Sequence, residues 1–289
     1  MVLYSILEDA GTRFLTMELD EARSLATLVT PGGLPLAWMS EMGEDMNSTK
    51  HTARVAGLLY LLAGITAPFG LIYVPRTLVV PGDATATANH VRASETLLRL
   101  GIANELIVAI MFIFVVLALY RLLKGVNENH ALAMLTLFLV SVPISFLNVL
   151  SEVAALVLVR GAAFLSVFEQ RQLDALALLF LRLHGQGLFL AGIFWGLWLF
   201  PFGILVIRSG FIPRVLGVFL IIAGSAYLVS SFTALFLPQY AHLVSPFAML
   251  LEAGELPIVL WLVIWGAKVP PAAGPSSNDP RSSRAASIT

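Results

Sequence analysis

Hydrophobic residues in this chain gather into long uncharged blocks instead of alternating with polar ones. The stretch from Gly187 to Ile207 carries no charge, and at about 1.5 Å per residue it is long enough to cross a hydrocarbon core of about 30 Å. It predicts a membrane span. Arg182, His184 and Gln186 crowd one mouth of it, and Arg208 and Arg214 flank a short SGFIP turn at the other. Five further apolar blocks, at 53–74, 101–120, 131–159, 215–237 and 247–267, predict an all-α, polytopic transmembrane helical bundle of six spans.

The pattern also predicts where these helices deform. Pro68 and Gly70 should kink the first span, and the third, longer than a crossing needs, should tilt or bend at Pro143. Between spans one and two, PGDATATANH reads as turn-forming. The following VRASETLLRL interleaves Val91, Leu97, Leu98 and Leu100 with Arg92, Glu95 and Arg99, as a short interfacial helix would. A single helix from Leu173 to Ile207 would be about 52 Å long. The chain is therefore expected to bend near His184 to Gly187, with LDALALLFLRL lying at the interface. In span six, Pro257 should leave the Ala253 carbonyl without its helical donor.

Composition confirms the class. The chain of 289 residues is 58% hydrophobic and only 12% charged, against about 45–50% and about 25% in soluble domains. Without cysteine, it has neither disulfides nor thiolate-ligated metal. The formal charge of -1 hides an asymmetry: residues 1–49 hold eight acids against Arg13 and Arg23, leaving a basic remainder suited to an anionic bilayer surface. Those first 49 residues lack a signal-peptide pattern, and TPGGLP interrupts them, so they read as a weakly ordered extension. A translation start at Met46 is a second reading, because MNSTKHTARVAGLLYLL places two bases directly before span one. Residues 50–268 form the membrane domain, and the Pro- and Ser-rich 269–289 reads as a disordered tail.

Basic residues near span ends set orientation. The tight loops RLLKGVNENH and RSGFIPR are the most basic per residue. They place both termini in the cytoplasm of a cell-membrane protein.

KHTARVAG, PGDATATAN, ETLLRLGI, LYRLLKGVN, QLDALALLFLRLH, RSGFIPRVLGVFLIIAGSAYL and LPQYA resemble the motifs of a bacterial integral-membrane family known as domain of unknown function 4386. The resemblance covers Lys50 to Lys268 and implies a multi-span membrane protein with no established activity. Independently, ARVAGLLYLLAG (Ala53–Gly64) and PRVLGVFLIIAG (Pro213–Gly224) share Arg, Val, Gly, Ala and Gly in register, and ANEL and AGEL follow in the next spans. A parallel duplication of spans 1-2 and 5-6 would leave that pattern. So would chance in segments built from few residue types.

Chemistry, if present, should use ionisable groups inside the spans, because a charge near the bilayer centre costs about 2.5–3.5 kcal/mol on insertion scales and needs a partner. These are Glu105 beside Asn104, Asn148 with Glu152, Arg182 with His184 and Gln186, and Glu252 with Glu255. Asn148 and Glu152 are four apart, as are Arg182 and Gln186, and Glu252 and Glu255 are three apart, so each set shares a helix face. Two readings stay open. The cluster is polar glue between helices, with Arg182 paired to a glutamate, or it lines a site for a cation, proton or small polar ligand, as in a secondary transporter. A metal-dependent intramembrane enzyme is disfavoured, since no HExxH or equivalent ligand spacing occurs, and neither metal nor cofactor is expected. His242 reads as a loop residue, and Gly185, Gly187, Gly192 and Gly196 as a packing face. No phosphate loop, nucleophile elbow or nucleic-acid motif is present. The lipid bilayer is the one partner the composition demands.

Overall fold

The computed structural model describes residues 36–266, with side chains from His51 onward. Two compact units divide the chain, 1–48 and 49–289. In the first, residues 36–48 are helical. The expectations for residues 1–35 and for the tail 269–289 lie outside the described residues. Among the described residues of the second unit there is no strand, and six helices are long and apolar enough to cross a membrane: His51–Leu78, Glu95–Leu123, Glu128–Arg160, Gln170–Ser209, Arg214–Phe236 and Pro238–Ile264. The protein is an all-α, multi-pass membrane protein.

Span one comprises α1 (Leu36–Pro68) from His51 on, a π-helical turn (Phe69–Tyr73) and α2 (Val74–Leu78). Pro68 has no N–H to give to the carbonyl four residues back, and past it the ladder slips by one residue, so that Val74 N–H bonds to Phe69 O. The expected kink is thus a π turn, a feature that recurs at functional sites.

Between spans one and two the structure corrects the expectation. The short helix is α3 (Ala84–Ala93), formed from the segment that reads as a turn. Asp83 caps it by accepting from Ala86 N–H at 2.8 Å, and Thr87 Oγ1 ties its first turn to Val80. Glu95 to Leu100 belong instead to α4 (Glu95–Leu123), the second span. Span three is α5 (Glu128–Arg160), helical through Pro143.

Span four is corrected more deeply. It comprises α6 (Gln170–Leu197) and α7 (Leu199–Ser209), and the helix runs without interruption through His184 to Gly187. The break comes at Trp198, three residues before Pro201, whose missing N–H and bulky ring oppose the Leu197 carbonyl. The excess length is not laid on the interface. Leu173 and Ala177, one turn apart, are buried with Ala88 and Val91 of α3 and Ala155, Leu156 and Val159 of α5, so the start of α6 is covered by a cap of helices. Arg92 closes that cap, pairing with Asp174 at 2.5 Å and donating to Val159 O at 3.2 Å.

Span five is α8 (Arg214–Phe236). Span six is discontinuous: a 3-10 turn (Pro238–Tyr240), α9 (Ala241–Glu252), a second 3-10 turn (Ala253–Glu255) and α10 (Leu256–Ile264). In that second turn Leu256 N–H bonds to Ala253 O. The carbonyl expected to be free is therefore satisfied, because the chain tightens ahead of Pro257. His242 lies in the first turn of α9, exposed, and not in a loop.

Successive spans pack side by side, and the ring closes where Gly57 of span one meets Leu262 and Val263 of span six. Lipid supplies no hydrophobic drive between helices, so small residues that admit a neighbour's backbone matter most. Spans four and five show this: a Cβ on Gly196 would sit 2.7 Å from Gly224 O, and one on Gly217 would sit 2.5 Å from Gly203 O. An aromatic column fills the centre. Tyr60 meets Phe112 at 5.2 Å between ring centroids, Phe112 meets Phe138 at 5.5 Å, and Phe138 meets Trp198 at 5.2 Å.

Candidate functional site

Three spans converge on one point away from this column, toward the start of span two and the end of span three. His184 of α6 directs Nε2 at Glu105 Oε1 of α4, 3.3 Å away, and at Glu152 Oε1 of α5, 3.9 Å away. The three side chains are almost wholly removed from solvent, at 4%, 9% and 2% exposure respectively.

Local packing holds each of them. Asn148, one turn before Glu152, reaches across to α6, where its Nδ2 donates to His184 O at 2.9 Å. The same side chain and its backbone carbonyl both approach His184 Nδ1, at 3.2 Å and 3.4 Å. This crossing depends on Gly187, where a Cβ would lie 1.9 Å from Asn148 Oδ1. Gly192 similarly admits Ser231, and Gly196 admits Gly224, whereas Gly185 faces nothing within 4 Å. On the far side of Glu105, the π turn of span one lies against the acid. A Cβ on Gly70 would be 3.0 Å from both Glu105 Cγ and Asn104 Nδ2, and Asn104 donates to Thr66 O at 3.0 Å. The proline-driven turn therefore brings a side-chain-free surface to the acid's flank.

Polar accounting at this point does not close. Glu105 Oε1, Glu152 Oε2 and His184 Nε2 are buried and lack a hydrogen-bond partner, although buried polar atoms are paired in the large majority of cases. Their ligand atoms all lie within 4.8 Å of one another. Two carboxylates and an imidazole face one another with no lysine or arginine among them.

The remaining candidates lie elsewhere. Arg182 and Gln186 are exposed, and among the described residues Arg182 forms no ion pair with a glutamate. Glu252 and Glu255 belong to a second group at the broken part of span six. There the Tyr60 hydroxyl donates to Glu255 Oε2, Tyr227 bonds to the same carboxylate, and Ser230 serves Glu252. Tyr60 lies ten residues before Gly70, roughly 15 Å along span one, so this group sits nearer the opposite end of the bundle. Sequence reading misses Tyr60 and Tyr227. The available signal was their position in mid-span, where a tyrosine hydroxyl needs a partner, in contrast to the interfacial belt it usually joins. It also misses the Arg92–Asp174 pair, because Asp174 lies in an apolar run that looks too short for a separate role.

Fold and site together define a multi-pass membrane protein with a buried acid–histidine cluster. It belongs to the family described as domain of unknown function (DUF4386), which matches residues 55–266. An uncharacterized protein of Archaeoglobus fulgidus is 27% identical over 168 residues, which is 58% of this chain and 85% of that relative. No solved structure matches.

Proposed function

We propose that the protein is a non-enzymatic, small-cation-binding protein of the cell membrane, with both termini in the cytoplasm, and that Glu105, Glu152 and His184 form its binding site. The observation that carries this reading is three buried side chains whose ligand atoms lie within 4.8 Å of one another, each with an atom that makes no well-formed hydrogen bond. Groups that merely glue helices together satisfy one another, whereas these present two acids to an imidazole with no lysine or arginine beside them. A bound cation or proton supplies the positive charge. Secondary transport of that cation is a second reading, favoured by the interruption of span six at Ala253–Glu255, since transporter sites are commonly built from discontinuous spans.

Thermal unfolding of the purified protein in detergent tests the binding. A cation that binds only the folded state stabilises it by about 2.7 kcal/mol at a concentration one hundred times its dissociation constant. At least one of a series of monovalent and divalent chlorides should raise the midpoint of the wild type and leave that of Glu152→Gln unmoved. Equal responses in both proteins would contradict the reading. Orientation has its own check. A reporter inserted within 81–90 should be active only outside, and one fused after Lys268 only inside.

A further inference from the structure

We infer that the ligand of this site is a divalent transition-metal ion of the zinc, iron, manganese or cobalt class, held by Glu105, Glu152 and His184 Nε2. The inference rests on the cation-site reading above and narrows it.

Donor chemistry selects the class. Calcium is bound by six to eight oxygens and magnesium by an octahedral set that keeps several waters, whereas an imidazole nitrogen suits zinc, copper, iron and nickel. Here one of the three donors is an imidazole nitrogen, placed centrally, and both partners are carboxylates. Charge agrees, since two carboxylates and a neutral imidazole sum to minus two and match a divalent ion.

Geometry agrees as well. Ligands about 2.1 Å from a tetrahedral metal lie about 3.4 Å from one another. The distances from His184 Nε2 are 3.3 Å and 3.9 Å, and the full set lies within 4.8 Å. Closure around an ion therefore needs shifts well under the length of a side chain. Ligating histidines usually have their other ring nitrogen oriented by a hydrogen bond, and Asn148 occupies that place, with its backbone O 3.4 Å from His184 Nδ1. Three protein ligands leave a fourth position for solvent or a substrate oxygen, as in open zinc sites.

The unpartnered atoms provide an observation independent of acidity. Glu105 Oε1, Glu152 Oε2 and His184 Nε2 are each buried without a well-formed hydrogen bond, the 3.3 Å approach of His184 Nε2 to Glu105 Oε1 being the shorter of its two contacts with the acids.

The test uses the full-length protein purified in detergent, first without chelator for elemental analysis, then stripped and titrated with cobalt(II) chloride. The expected result is about one transition-metal ion per chain as purified, and a saturable visible absorption band from cobalt that zinc chloride abolishes. Affinity should fall at least tenfold in Glu152→Gln and in Glu105→Gln. Should either variant fail to fold, the wild-type cobalt spectrum is decisive alone: a saturable band with nitrogen and oxygen ligation supports the site. If sodium or potassium chloride raises the unfolding midpoint and no divalent transition metal binds, this inference falls and the cation-site reading stands. If no cation binds at all, both fall.

Discussion

Two groups of buried acids occupy the same bundle and are built on opposite principles. Glu255 is met by the hydroxyls of Tyr60 and Tyr227, so the protein itself supplies donors to the carboxylate. Glu105 and Glu152 are met by each other and by His184, and atoms on all three lack partners. The first arrangement is complete as it stands. The second, on the cation-site reading proposed above, is completed by a bound positive charge. Ionisable residues within spans are functional candidates by default, and these two groups differ in whether the protein itself supplies hydrogen-bond donors to the acids.

The largest effect should come from the backbone that permits the incomplete group. In Gly187→Ala the added Cβ would collide with Asn148 Oδ1, forcing apart the helices that carry His184 and Glu152. A loss of about 3 kcal/mol is expected, at the upper end of ordinary overpacking, together with loss of any cation response in unfolding experiments. Retention of that response would show that the Asn148 crossing does not position the site.

Next in size is the complete group. Tyr60→Phe removes a donor from Glu255 and should cost about 2 kcal/mol, the range for hydrogen bonds to charged groups. Adding Glu255→Gln should recover part of the loss, giving a coupling of about 0.5–3 kcal/mol in a double-mutant cycle. Additive effects would mean that the contact contributes little.

Glu152→Gln should behave oppositely. In metal-free buffer its unfolding free energy should stay within about 1 kcal/mol of wild type, since the nearest ion-pair contact of the acid is the 3.9 Å approach to His184 Nε2 and the amide keeps its shape. A loss like that of Tyr60→Phe would place the two acids in one class and dissolve the comparison. The smallest effect is expected at Glu95→Gln, an exposed acid shared by Arg99 and Arg160 at 2.7 Å each. Any change there should disappear on raising the salt from low ionic strength to physiological levels.

The six spans were legible because a helix that crosses lipid must be long and apolar, whatever its neighbours do. The proline sites were legible too, but their outcomes were not. Pro68 yields a π turn, and Pro201, not the His184–Gly187 segment, interrupts span four. Gly187, read from the sequence as part of a packing face, is the socket for Asn148. Glu105, Glu152 and His184 were visible as members of one larger polar cluster. Which of its members converge was not legible, because each of the three comes from a different span and no local ligand spacing records it. Arg182 illustrates the converse: two residues from His184 along α6, it points to a different face and is exposed.

The most direct measurement is an experimental structure of the cobalt-loaded protein with anomalous scattering recorded at the metal edge. One anomalous peak is predicted, within about 2.3 Å of Glu105, Glu152 and His184 Nε2, with none beside Glu255. A peak at Glu255, or a site in which His184 and the two acids satisfy one another with no ion between them, would contradict the distinction between the two groups.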